Sequence, residues 1–195
     1  MNAERGIVGW NFWLLWVLAN VVGYGLGGAA ISPIYVPGEP AEHILPTALL
    51  GACLGLAGGF MQWLCLRRHL TRSGWWVLAA ASGWTLSAAL GAAGTALGGL
   101  LPAVGFFGGF VGASSIPQWL ILRRQVAHAG WWVPATILGL VIGGGFFDVI
   151  DIPVVGTTLF GAGFGAAYGV ITGAVLVWLL QGSIPKVAKQ SAAAS

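Results

Sequence analysis

The sequence predicts an all-α integral membrane protein with six transmembrane helices, arranged as three pseudo-repeated hairpins with N-terminus and C-terminus cytoplasmic. Three observations predict it: the composition, the spacing of apolar segments and a 56-residue self-similarity. Of 195 residues, 57% belong to the apolar and aromatic set and 33 are glycine, whereas charged residues make up only 7%. A soluble domain carries roughly 25% charged residues to keep its surface hydrated. The same figures exclude a disordered chain, a disulfide scaffold, a collagen-like repeat and a nucleic-acid binder, because eight scattered cations make no phosphate footprint.

A helix crossing hydrocarbon needs about 20 mostly apolar residues, since every backbone N–H and C=O must be paired within the segment. Six segments qualify. The first runs over 10–31 and ends before Pro33; the second, 44–66, begins after Pro37 and Pro40 and ends at Arg67. The third, 75–97, opens at Gly74-Trp75, and the fourth, 101–122, ends at Arg123. The fifth, 131–147, runs up to Asp148, and the sixth, 154–180, follows Pro153. Residues 1–195 thus read as one transmembrane domain with a short polar tail over 185–195.

Lys and Arg near span ends stay on the cytoplasmic side. With the N-terminus inside, Arg5, Arg67, Arg68, Arg72, Arg123, Arg124, Lys186 and Lys189 all fall inside, against Glu4 alone. Glu39, Glu42, Asp148 and Asp151 fall outside, so the two faces carry 8 − 1 = +7 and −4, which recovers the net +3. The expected location is the inner (plasma) membrane. Trp10, Trp13 and Trp16, with no clear A-x-A site, favour a retained first span over a cleaved signal peptide. Cys53 and Cys65 share the second span, about 18 Å apart along its axis, and cannot pair with each other.

Gln62-Trp63-Leu64-Cys65-Leu66-Arg67-Arg68 recurs at 118–124, and Gly74-Trp75-Trp76-Val77 at 130–133, an offset of 118 − 62 = 56. Eleven of the eighteen positions from 62 to 79 are identical in the second copy. More weakly, Gly9-Trp10 opens the first span and Trp178-Leu179-Leu180 closes the sixth. Three hairpins that enter at Gly-Trp and return at Trp-Leu would all stand the same way up. Inverted-topology transporters need an odd number of spans per copy, so that class is disfavoured.

Small residues recur every four positions, as in Gly51, Gly55 and Gly59 or Gly161, Gly165, Gly169 and Gly173. That spacing lays them on one helical face, where two backbones can approach and gain dispersion contacts. A tight bundle is expected. Gln62 and Gln118, about 7.5 Å deeper than the first arginine of each pair, need an interhelical partner such as a tryptophan N–H. Asn20 and Tyr168 are further mid-span polar groups.

Arg67 and Arg68 at one inner corner, and Arg123 and Arg124 at the other, follow Trp63 and Trp119 by one turn. Such a cluster suits the phosphate of an anionic lipid, with the indole adding a cation–π contact. An ordinary positive-inside anchor with an aromatic belt is the competing reading. Asp148 and Asp151, with Glu39, Glu42 and His43, present no recognisable metal-ligand set, and His69 and His128 fall in loops. Gly23, Gly25 and Gly28 spell G-x-G-x-x-G inside an apolar span with no preceding strand, which leaves the dinucleotide mechanism without a scaffold.

The QWLxLRR to GWWV unit at 62–77 and 118–133 resembles a signature of bacterial multi-span membrane proteins of uncharacterised activity. The resemblance covers roughly the second to fifth spans and implies a six-span bacterial membrane protein, with no activity or site to carry over. No mid-span Asp, Glu, Lys, Arg or His is present to support catalysis or a proton relay. The expectation is a non-catalytic accessory, scaffold or assembly subunit of a larger membrane complex, without cofactor or metal. Its partners would be membrane lipids, anionic ones included, and other membrane proteins, not nucleic acid. The alternative is a passive transporter or binder of a small hydrophobic solute or lipid.

Overall fold

The computed structural model describes residues 8–31, 44–95, 97–144 and 153–182. Arg5, Glu4, Glu39, Glu42, His43, Asp148, Asp151, Lys186, Lys189 and the 185–195 tail lie outside the described residues. Every regular element described is helical: α1 (Trp10–Ile31), α2 (Ile44–Leu66), α3 (Trp75–Thr95), α4 (Leu101–Phe110), α5 (Ile116–Leu122), α6 (Trp132–Gly144) and α7 (Pro153–Gln181). Five helical stretches are long and apolar enough to cross a membrane, with α4 and α5 counted as one over Leu101–Leu122. The segment expected as a fifth span is shorter, an apolar helical run of 16 residues from Ala129 to Gly144 that opens with a 3-10 turn.

The stretch 101–122, read from sequence as one regular helix, contains a π turn over Val111–Ser115 between α4 and α5. A π turn widens the hydrogen-bonded ring by one residue and frees carbonyls from the regular ladder. Ser82 Oγ, on α3, donates to Ala113 O within that turn at 3.2 Å. The turn also buries Ser114 and Ser115.

The helices close a ring in which α1 lies between α2 and α7, α3 between α2 and α4, and α6 between the π turn and α7. Glycines set the spacing. A methyl group on Gly23 would stand 2.8 Å from Gly58 Cα, and one on Gly27 2.8 Å from Leu54 Cα, so α1 and α2 touch backbone to backbone. In water each such glycine would cost about 1 kcal/mol relative to alanine; here close packing offsets that cost. The outer surface is aliphatic, with Leu15, Leu18, Leu49, Leu78, Leu138 and Leu159 among the exposed side chains.

Two inner layers fill the ring. One, at the end where α1, α3 and α6 begin and α2, α5 and α7 finish, packs Trp16, Trp76, Trp132, Leu66, Leu122, Leu176 and Leu179. The other, deeper, packs Tyr24, Trp84, Phe110, Phe160, Phe164 and Tyr168. All the described cations, Arg67, Arg68, Arg72, Arg123 and Arg124, sit in the two connections at the first end, and no acidic residue lies among the described residues. Both connections turn alike. Arg72 (φ 55°) and His128 (φ 57°), 56 residues apart, adopt the left-handed conformation uncommon for residues other than glycine. Each accepts a hydrogen bond from the tryptophan N–H three residues on, Trp75 and Trp131.

Candidate functional site

Trp16 from α1, Trp76 from α3 and Trp132 from α6 converge on the axis of the bundle with no exposed surface. Their ring centroids lie 6.3, 6.2 and 5.2 Å apart, each pair inclined edge to face or tilted. Tilted pairs bring a ring edge towards a neighbouring face, the arrangement that aromatic quadrupoles favour. An indole N–H buried in apolar surroundings needs an acceptor. Each one has an acceptor on another helix: Trp76 Nε1 donates to Gln62 Oε1 at 2.8 Å, Trp132 Nε1 to Gln118 Oε1 at 3.1 Å, and Trp16 Nε1 to Thr172 Oγ1 at 3.0 Å. One turn beyond each acceptor stands a fully buried leucine, Leu66, Leu122 and Leu176.

Gln62 links this layer to the deeper one. Its Nε2 donates to Asn20 Oδ1 at 2.7 Å and reaches the Tyr24 hydroxyl at 3.4 Å. Asn20 Nδ2 donates back to Trp16 O at 2.7 Å, and Trp84 Nε1 donates to Tyr24 Oη at 3.2 Å. Thr172 Oγ1 in turn donates to Tyr168 O at 2.6 Å. A second pair, Thr136 Oγ1 and Ser115 Oγ at 2.8 Å, ties α6 to the π turn. Ser87 Oγ, buried on α3, has no hydrogen-bond partner. The network is made of amides, hydroxyls and indoles, groups that neither release nor accept a proton near neutral pH. Its arrangement locks helices together.

The expected packing glycines meet backbone, methyl or aromatic atoms. A Cβ on Gly51 would strike Trp84 O, one on Gly55 would lie 2.6 Å from Ala80 O, and one on Gly59 2.6 Å from Ala80 Cβ, all on α3. Gly161 and Gly165 face Tyr24 O and Asn20 O of α1. A Cβ on Gly169 would lie 3.1 Å from Val17 Cα, and one on Gly173 2.8 Å from Trp16 Cδ1. Glycines 163, 108 and 112 face open space.

At the cationic corners, Arg67 Cζ stands 5.6 Å over the Trp63 ring and Arg123 Cζ 5.0 Å over Trp119. Arg68 and Arg124 are exposed beside them. The structure adds a clamp between the two corners. The Thr71 N–H and hydroxyl both donate to Gln125 Oε1, at 2.7 and 2.9 Å, and Gln125 Nε2 donates to Thr71 O at 3.0 Å. His69 stands edge to face on Phe12 at 5.0 Å, and His128 stacks on Trp178 at 5.8 Å. Partial burial, then the Arg68 charge, holds the His69 imidazole below its usual range, so it favours the neutral form. Cys53 and Cys65 are both free thiols. Among the described residues no cluster of His, Cys, Asp and Glu is arranged to hold a metal.

The axial tryptophans were not singled out by the 56-residue repeat, although the sequence carries their signal. Trp-Val-x-Ala-x-x-x-Gly occurs at 16–23, 76–83 and 132–139. The first interval is 76 − 16 = 60 and the second 132 − 76 = 56, a difference of about one helical turn. The counterpart of Trp76 in α1 is therefore Trp16, not a residue beside Trp10.

The chain matches no protein-family model, no curated protein and no solved structure. Function rests on the geometry alone.

Proposed function

We propose that the chain is a non-catalytic six-span membrane protein with both termini in the cytoplasm, serving as an accessory, scaffold or assembly subunit of a larger complex in the plasma membrane. The single observation that carries this reading is the axial tryptophan triad. A carrier needs a polar or hydrated route through its centre, whereas here three indoles and the aromatic layer beneath them occupy the axis. The polar groups that could line a route are turned on one another, Gln62 to Asn20 and Trp76, and Thr172 to Trp16. A rigid, filled bundle with an aliphatic exterior suits a part that others dock against.

The six-span reading takes the helical run Ala129–Gly144 as a short fifth span. The three-hairpin reading is supported by the recurrence of the tryptophan-acceptor pairs, and membership of the bacterial multi-span proteins that the repeated unit resembles belongs to the same proposal. Exposed Trp10, Trp75 and Trp131 at the cationic end fit the headgroup level of the cytoplasmic leaflet. Purification in a mild detergent followed by mass spectrometry of everything retained tests the proposal. A stoichiometric membrane-protein partner is expected. A solitary chain that carries one small apolar molecule, or that passes solute in proteoliposomes, would replace it with the binder or passive-transporter reading.

A further inference from the structure

A groove of about 540 Å³ opens on the outer side of the bundle between α3 and α5, with Trp75, Leu78 and Ser82 on one wall and Pro117, Leu120 and Ile121 on the other. Its origin is visible in the three-fold pattern. Where α1 carries Val21-Val22 and α6 carries Ile137-Leu138 at the corresponding positions, α3 carries Ala81-Ser82, and α5 opposes them with Pro117 where α2 has Met61. The missing side-chain volume accounts for the groove.

The charges fall at one end of this groove. Pro117, Leu120 and Ile121 share one face of α5, and Arg124, two residues past its end at Leu122, follows them in the connection at the cationic end. Arg72 precedes Trp75 by three residues on the opposite wall. The Thr71–Gln125 clamp joins the residues adjacent to each of them and so holds the two corners together. Two guanidinium-bearing corners are thus fixed side by side, and no carboxylate among the described residues balances them. An apolar slot that ends in uncompensated positive charge at headgroup level matches a molecule with a hydrocarbon chain and an anionic phosphate.

We propose that this groove binds one anionic phospholipid, with an acyl chain along α3 and α5 and its phosphate held by Arg124 and Arg72. The inference rests on the membrane reading above but not on the scaffold role: loss of a protein partner would leave it standing, and loss of lipid would leave the scaffold standing.

The test uses the full chain, equilibrated in mixed micelles of equal phosphatidylglycerol and phosphatidylcholine, with retained lipid counted by native mass spectrometry. Wild type is expected to keep one phosphatidylglycerol per chain. Arg124→Gln with Arg72→Gln should erase the headgroup preference, each arginine accounting for about fivefold. Ala81→Ile with Ser82→Leu installs the pair found on α6 and should remove the lipid whatever its headgroup, whereas Ser82→Ala, which breaks the bond to Ala113 O without filling the groove, should keep it. The proposal is overturned if the filled groove retains phosphatidylglycerol as wild type does, if the double arginine variant keeps the headgroup preference, or if wild type keeps both lipids equally.

Discussion

Trp76 and Trp132, 56 residues apart in sequence, meet with ring centroids 5.2 Å apart, and each donates its indole N–H to a glutamine 14 residues before it. The two pairs are not equivalent in their wider connections. Gln62 also bonds Asn20 and reaches Tyr24, so it joins α1, α2 and α3 at a single amide. Gln62→Leu should therefore strand the Trp76 N–H and the Asn20 carbonyl, at a cost of about 1–2 kcal/mol. The measurement is thermal unfolding in detergent. An equal loss from Gln118→Leu would show that Gln62 has no special linking role.

Packing glycines and open glycines should respond differently to the same small change. Gly165→Ala places a methyl group against Asn20 O, with backbone on both sides and no flexible tip to yield. Overpacking of this kind costs about 1–3 kcal/mol. Gly163→Ala on the same helix meets nothing and should leave the melting temperature level or raise it. Equal effects from the two would remove the packing account of the α7 stripe.

Hydroxyls offer a second contrast. Ser87 Oγ is buried without a partner, and burying a polar group unpaired costs about 1–3 kcal/mol. Ser87→Ala should leave stability unchanged or increase it, whereas Ser115→Ala removes the interhelical partner of Thr136, leaving it Val133 O on its own helix, and should lower it. The same melting assay decides.

His69 gives a pH dependence with a definite sign. Its folded pKa lies below the unfolded value near 6.5, because burial and the Arg68 charge both disfavour the imidazolium. At higher pH the ring is neutral in both states and has no effect. As pH falls through 6.5 the unfolded state takes up the proton first, so stability declines until the folded pKa is reached. His69→Gln should flatten that part of the melting-temperature profile. A profile unchanged by the substitution would assign the acid sensitivity elsewhere.

Helix positions were largely legible in the sequence because lipid allows few alternatives. Apolar length, Gly-Trp openings and Arg-Arg endings placed α1, α2 and α7 to within a residue or so. The π turn at Val111–Ser115 left no such mark, since Val, Gly, Ala and Ser pack equally well in a regular helix and only the contacts of Ser82, Ser114 and Ser115 with neighbouring helices distinguish it. Trp16 was hidden by the one-turn difference between intervals of 60 and 56, and Thr172 because a threonine performs there what glutamine does in the other two copies. The Gln125 clamp has no precedent in the first copy, where the corresponding position is His69.

The most direct test of the whole account asks which side of the membrane the clamped arginine corners face. In a background with Cys53 and Cys65 replaced by alanine, single cysteines are placed by Arg72→Cys, Ala127→Cys and Asp151→Cys and exposed to a membrane-impermeant maleimide on intact cells. The account predicts labelling at 151 alone, with 72 and 127 reacting only after permeabilisation. Labelling at 72 or 127 in intact cells, with 151 protected, would contradict it.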